Sequence, residues 1–275
     1  MLTIMLLAYR SRLLGMSEPS VIILIPTGLN TYLIQFKKTL INNKWELMLP
    51  EYKSDAAYWL IWELKRIQSI MKNLKKSDVL YDIGTEDGDM SALFATKCKI
   101  HLFEPAPPPW PIIKQTWEAN NLPKPDGYFV GFASNKTNLN PILNDVQGKD
   151  KDGWPQCAYE EGEVGHFRHL SQQTDSTPQI KIDDYIQNHG VPTVLNIDAE
   201  GSEFEILKGA QGCLITSKPL VFVSVHPEFM YEGFKQFMTE LFEYMKALGY
   251  KYDLLAVDHE LHTVFYHPGG RRYET

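Results

Sequence analysis

From Asp78 to Tyr266 the sequence alternates between two hydrophobic rhythms, and that alternation restricts its fold more than any other feature. Short apolar runs at 78–83, 100–103, 128–133, 193–197 and 220–225 read as strands, and the segments 90–96, 110–120, 181–188, 202–208 and 234–248 read as helices. In the last of these, Phe234, Phe237, Met238, Leu241, Phe242 and Met245 share one face. A strand that returns to its sheet through a helix runs parallel to its predecessor, with helices covering both faces. The closing runs, 252–257 and 262–266, are joined only by Asp258-His259-Glu260 and predict an antiparallel hairpin at the edge. The expected fold is α/β: a doubly wound, seven-stranded, mostly parallel sheet with an antiparallel last strand. Its ligand is expected at the carboxyl ends of the strands.

Ahead of this pattern, VIILI and TYLIQF within residues 20–50 predict a hairpin or small appendage. From Ser54, a suitable N-cap, Ala57, Leu60, Ile61, Leu64, Ile67, Ile70 and Met71 recur at helical spacing, and Lys72 to Ser77 closes that helix. The expected division is an N-terminal extension, 1–53, and a domain, 54–275, interrupted by an insertion at 134–178. The insertion has little periodicity, and Trp154, Tyr159, His166, Phe167, Arg168 and His169 suit a substrate-facing loop as well as a surface loop.

The charge balance is acidic, −7 in all. Residues 1–50 carry five cations against two acidic side chains, which leaves −10 on the rest. Such a surface does not suit nucleic acid, whose phosphates require cations. Cys98, Cys157 and Cys213 are too few and too scattered for a disulfide framework and fit a reducing, cytoplasmic setting. In MLTIMLLAYRSRLLGM the arginines follow the apolar stretch instead of preceding it, which does not fit a signal peptide, and the run is too short to span a bilayer. The expectation is a monomer or homodimer without stable membrane insertion.

Four motifs fall where strands end. In Asp82-Ile83-Gly84-Thr85-Glu86-Asp87-Gly88 the glycines allow close backbone approach, while the acidic residues disfavour a pyrophosphate and favour a cationic amino or sulfonium group. Glu104-Pro105 ends the second strand, 22 residues beyond Asp82, where a carboxylate can accept both ribose hydroxyls. Asp198-Ala199-Glu200-Gly201-Ser202-Glu203 straddles the fourth strand end and the next helix, where Glu200 and Glu203 also complement the helix dipole. His226-Pro227-Glu228 closes the fifth strand and should approach Asp198, placing an imidazole beside carboxylates as a general base or as a single structural histidine. Asp198, Glu200 and His226 together could also hold a divalent metal, though none is expected.

Together these segments resemble the FkbM family of S-adenosylmethionine-dependent methyltransferases, which are class I and Rossmann-like. The resemblance lies in DIGTEDGDMS (82–91), HLFEPAP (101–107), WEANNL (117–122), GFASNKT (131–137), IKIDDYI (180–186), NIDAEGSEFEILKGA (196–210) and VSVHP (223–227). Two positions depart from the family pattern: Glu86 stands where Asn or Gly is usual, and Asn196 where Lys is usual.

The resemblance implies S-adenosylmethionine as cofactor, S-adenosylhomocysteine as product, and methyl transfer to a hydroxyl of a sugar, glycan or small metabolite. The cofactor-binding residues it implies are Asp82, Gly84, Thr85, Glu86, Gly88, Ser91, Glu104, Pro105, Ser134 and Asp198. Of these, Asp82 and Gly84 would line the methionine side, Glu104 the ribose, and Ser134 or Asn135 the adenine edge. Asp198 and His226 are the implied catalytic pair, and Trp154, Tyr159 and His166 could offer a stacking wall. The competing reading is a non-catalytic nucleoside-binding or assembly module, of which Glu86 and Asn196 would be signs of decay. An NAD-dependent oxidoreductase fits poorly, because the glycine spacing is wrong and the loop is acidic.

Overall fold

Seven strands form the central sheet: β1 (Val79–Ile83), β2 (Lys99–Phe103), β3 (Gly127–Phe129), β4 (Val194–Asp198), β5 (Leu220–Val225), β6 (Lys251–Val257) and β7 (Leu261–Tyr266). The computed structural model describes residues 20–26, 31–143, 146–157, 177–226, 234–258 and 260–275. The strand order is β6-β7-β5-β4-β1-β2-β3. All pairings are parallel except those of β7, which runs antiparallel to both β5 and β6. The chain therefore forms the expected mostly parallel, doubly wound sheet, with its order reversing between β1 and β4. Register brings Asn196 opposite Asp82, Asp198 opposite Ser224, and Val225 opposite Leu261, so the tips of β1, β4, β5 and β7 lie side by side.

Each face of the sheet buries its own core. On one side Ile67, Ile70, Phe94, Trp110, Ile113 and Trp117 pack on Leu80, Leu102 and Phe222. On the other, Leu207, Leu214, Leu241 and Met245 pack on Tyr81, Leu195, Val221 and Val223. The β5 sequence LVFVSV is buried along its whole length, as a central strand covered on both faces requires. The final helix, Phe234–Ala247, buries Leu241 and Met245 as its spacing predicts.

Three local expectations are corrected. The helix expected from Ser54 is two helices, Tyr58–Ile61 and Leu64–Asn73, because Trp62 is extended and Glu63 is left-handed, with φ 44°. The Ser54 hydroxyl donates to the Glu51 carbonyl (2.7 Å) and caps neither helix. The third strand is interrupted: Phe132–Ala133 leaves the central sheet to pair with Gln179–Ile180. Within the insertion, Trp154 packs on Trp117 (centroids 6.0 Å apart) in the core, so it offers no face to a sugar. Tyr159 and His166 to His169 lie outside the described residues, as do 1–19 and the Pro227-Glu228 pair.

The N-terminal segment is a three-stranded antiparallel sheet, Ser20–Pro26, Thr31–Ile41 and Trp45–Pro50. Its Ile41, Leu47 and Leu49, with Trp59, share one core with Ile67 and Ile70 of the following helix. The Asn120 amide locks it further, accepting from the Met48 amide and donating to the Met48 carbonyl, both at 2.8 Å. Among the described residues no helix is long and apolar enough to cross a membrane.

Candidate active site

Backbone geometry at the β1 turn explains its glycines. Gly84 has φ 85°, and a Cβ there would sit 1.6 Å from the Asp198 carbonyl oxygen, so only glycine lets the turn pass the β4 tip. Gly88, with φ 79°, abuts Ile113 and Trp117 and opens helix Asp89–Ala95. Between them Glu86 is itself left-handed, with φ 50°, and its amide donates to Glu104 Oε2 (3.0 Å). The other Glu104 oxygen accepts from the Ala106 amide (2.7 Å). Burial raises the Glu104 pKa to about 8, against the pull of those two amides, so its carboxyl is held at the end of β2 by the turns on either side.

Asp82 is turned inward. It accepts from the Ser91 hydroxyl and from the Asn196 side-chain amide (2.6 Å), and burial raises its pKa to about 6. This places Asp82, Ser91 and Gly88 behind the cavity wall, where they shape the turn that Gly84, Thr85 and Glu86 present to the cavity.

At the β4 and β5 tips the structure assembles a buried charge network. Arg66, 1% exposed, enters from helix Leu64–Asn73. It donates to Asp198 Oδ2 (2.6 Å), to Asn196 Oδ1 (2.8 Å) and to Glu63. Burial favours the neutral acid, but Arg66 and then His226 outweigh it and hold Asp198 below the usual carboxylate range. Glu63 goes the other way: burial lifts its pKa to about 8 despite Arg66. His226 has Glu203 Oε1 at 3.3 Å from Nδ1, and both Asp198 Oδ1 and Glu260 Oε1 at 3.3 Å from Nε2. Burial opposes charge on this ring, but the three carboxylates prevail and raise its pKa to about 11. In this arrangement the imidazole keeps its proton, so acting as a base would first require losing it.

Of these groups Glu63, Asp198, His226 and Glu260 line one cavity of about 430 Å³. The walls include Gly84, Thr85, Glu86, Glu104, Pro105, Asp198, Glu200 and His226 from the sequence reading. Ser134 is buried just outside, its amide tied to the Ile180 carbonyl (2.9 Å), and the neighbouring Gly131, Phe132 and Ala133 line the cavity instead. Burial raises Glu200, left-handed at φ 46°, to about 8. The sequence reading missed Lys53, Tyr58, Trp62, Glu63 and Glu260, which complete the wall, and Arg66 behind it. Tyr58 and Trp62 stack at 4.8 Å between centroids, and Lys53 bridges Glu86 and Asp89 at 3.3 Å each. The one local signal for Tyr58, Trp62, Glu63 and Arg66 was the amphipathic run after Ser54; Lys53 lies just ahead of that run, and Glu260 gave none, being one more acid in a turn.

A doubly wound sheet in this order, with an acidic cavity at its switch point and a buried glutamate ending β2, is a Rossmann-like fold with a site at the carboxyl ends of its strands. The FkbM methyltransferase domain matches residues 82–252, and the chain belongs to that family. Membership implies use of S-adenosylmethionine. The chain is 25% identical over 178 residues to the hexuronic acid methyltransferase AglP of Haloferax volcanii, a match spanning 61% of this chain and 66% of AglP. Among solved structures it is similar to methyltransferase FkbM from Methylobacillus flagellatus KT, with TM-score 0.48 and 18% identity, over 70% of this chain and 44% of the other. It is also similar to precorrin-6y C5,15-methyltransferase from Geobacter metallireducens GS-15, with TM-score 0.45 and 11% identity, over 74% and 88% of the two chains.

Proposed function

We propose that this methyltransferase acts on oxygen, transferring a methyl group to a hydroxyl of a sugar, glycan or small metabolite. The observation that carries the reading is the convergence of the glycine turn, Glu104 and the acidic tips of β4 and β5 on one cavity. Its volume falls in the range of about 300–1,000 Å³ usual for small-molecule sites. The surplus of carboxylates suits a cofactor with a positive sulfonium. When bound, S-adenosylmethionine supplies an electrophilic methyl group. Glu104 would accept the ribose hydroxyls, the backbone of Gly84 to Glu86 would border the methionine portion, and Phe132 with Ala133 would border the base. Asp198 would face the acceptor and orient its hydroxyl by accepting a hydrogen bond from it, with Arg66 fixing the carboxylate so that it need not reorganise during transfer. The Tyr58–Trp62 stack supplies an aromatic wall of the kind on which a sugar ring packs. AglP, by its name a hexuronic acid methyltransferase, supports a sugar acceptor.

The test is calorimetry with S-adenosylhomocysteine, followed by methyl transfer from labelled cofactor to a panel of saccharides with mass detection. Saturable binding that weakens at least tenfold in Glu104→Ala, with label appearing on a hydroxyl, is the expected result. Folded protein that does not bind the product would remove the reading. Label found on a carboxyl or amine would replace the hydroxyl assignment.

A further inference from the structure

We propose that Asp198 Oδ1, His226 Nε2 and Glu260 Oε1 form a binding site for one divalent cation, of the manganese type, at the acceptor end of the cavity. These atoms come from three separate elements, the tips of β4 and β5 and the β6–β7 turn. All lie within 4.8 Å of one another, with the imidazole nitrogen 3.3 Å from each oxygen. An ion about 2.0–2.2 Å from three such atoms sets them about 3.0–3.5 Å apart, along the edges of its coordination polyhedron. Charge-assisted hydrogen bonds are shorter, about 2.7–2.9 Å. A single Nε2 proton also cannot point at two carboxylate oxygens at once, whereas an ion serves all three atoms together.

Orientation from behind is the second, independent observation. Asp198 and His226 each have their other polar atom met by a side chain outside the set, and Glu260 has an imidazole nearby. Arg66 takes Asp198 Oδ2 at 2.6 Å, Glu203 stands at His226 Nδ1 at 3.3 Å, and His262 stands 3.8 Å from Glu260 Oε2. Partners placed in this way fix the tautomer of a ligating histidine and aim ligating carboxylates. Glu203, wholly buried, keeps Oε2 without a hydrogen-bond partner among the described residues. Two carboxylates and one imidazole suit manganese or magnesium better than a thiolate-seeking metal. Three protein ligands leave open positions facing the cavity, where an acceptor oxygen can bind and lose its proton more readily. The sequence suggested Glu200 as the third ligand; the structure supplies Glu260 in its place.

The inference is tested without cofactor or acceptor, so its outcome is separate from that of the O-methyltransferase reading. Chelator-treated full-length protein is titrated with Mn²⁺, and free ion is followed by electron paramagnetic resonance. One saturable ion per chain is expected, weakened at least tenfold in Glu260→Gln and in His226→Gln. Far-ultraviolet circular dichroism and a cooperative urea transition like the wild type's should show that both variants fold. Pulsed resonance of the wild-type complex should show nitrogen modulation from one imidazole, a readout needing no variant. Wild-type protein that binds S-adenosylhomocysteine but no Mn²⁺, or Glu260→Gln that binds Mn²⁺ as wild type does, would overturn the site and leave methyl transfer standing.

Discussion

Replacing Arg66 by Met tests whether the buried charge network sustains the fold around the cavity. The guanidinium is 1% exposed and serves Asp198 at 2.6 Å, Asn196 at 2.8 Å, and Glu63 one turn earlier. Methionine fills much of the volume but leaves Asp198 with only His226 as a cation, and Glu63 without its donor, in a site that water barely reaches. Removing one partner of a buried ion pair costs about 3–5 kcal/mol, the range expected here. Against a total stability of about 5–15 kcal/mol the variant still folds, with a measurable loss. With an m-value of about 3 kcal/mol/M in urea, the midpoint should fall by about 1–1.7 M. Adding Glu63→Gln to Arg66→Met should cost less than the sum of the two single changes, by about 0.5–3 kcal/mol, because both changes remove the same Arg66–Glu63 contact. A loss below about 1 kcal/mol, or additivity within error, would refute the reasoning.

Three further outcomes follow from particular contacts. Gly84→Ala places a methyl group 1.6 Å from the Asp198 carbonyl oxygen at φ 85°, and should cost more than about 4 kcal/mol in denaturant titration or abolish S-adenosylhomocysteine binding; a silent substitution would show that the β1 turn does not cross β4 so closely. Because burial raises the Glu104 carboxyl to about 8, ribose hydroxyls meet more of the ionised form as pH rises, so product affinity should climb by up to about tenfold per pH unit below 8. In Glu104→Gln that climb should flatten, and an unchanged slope would assign it to another group. Burial works against ionisation of Asp78, yet hydrogen bonds from Arg271 (2.8 Å), the Lys75 amide and Thr193 hold its carboxyl below the ordinary range. The stability this provides is present above the unfolded value of about 3.9 and lost as pH falls through the lower folded value. Arg271→Gln should therefore destabilise the protein more at pH 7 than at pH 2.5, and equal losses at both would exclude the linkage.

How far the site could be read in advance depended on whether its residues announce themselves locally. Asp82, Gly84, Glu104, Asp198 and His226 each end an apolar run, and a strand's end is visible in the strand itself; register then sets those ends side by side. Trp154, an aromatic in an irregular segment, suits a substrate-facing loop or a surface loop equally, and only packing on Trp117 shows it as core. Arg66 presents the opposite case. Within LKRIQSIMKN it reads as part of a polar stripe, and nothing nearby in the chain says that the carboxylate it serves lies 132 residues away.

By itself, then, the sequence determined the alternation of strand and helix, the glycine turn, the carboxylates at the strand tips and thereby the family. These follow from local backbone preference and hydrophobic period, which act over a few residues. Tertiary structure alone decided which charges meet. It brought Glu63 and Arg66 from the N-terminal segment and Glu260 from the last hairpin against Asp198 and His226, and it broke the first helix at Glu63. The physical reason is that burial and charge pairing depend on distance in space and on exclusion of water, and neither can be read along the chain.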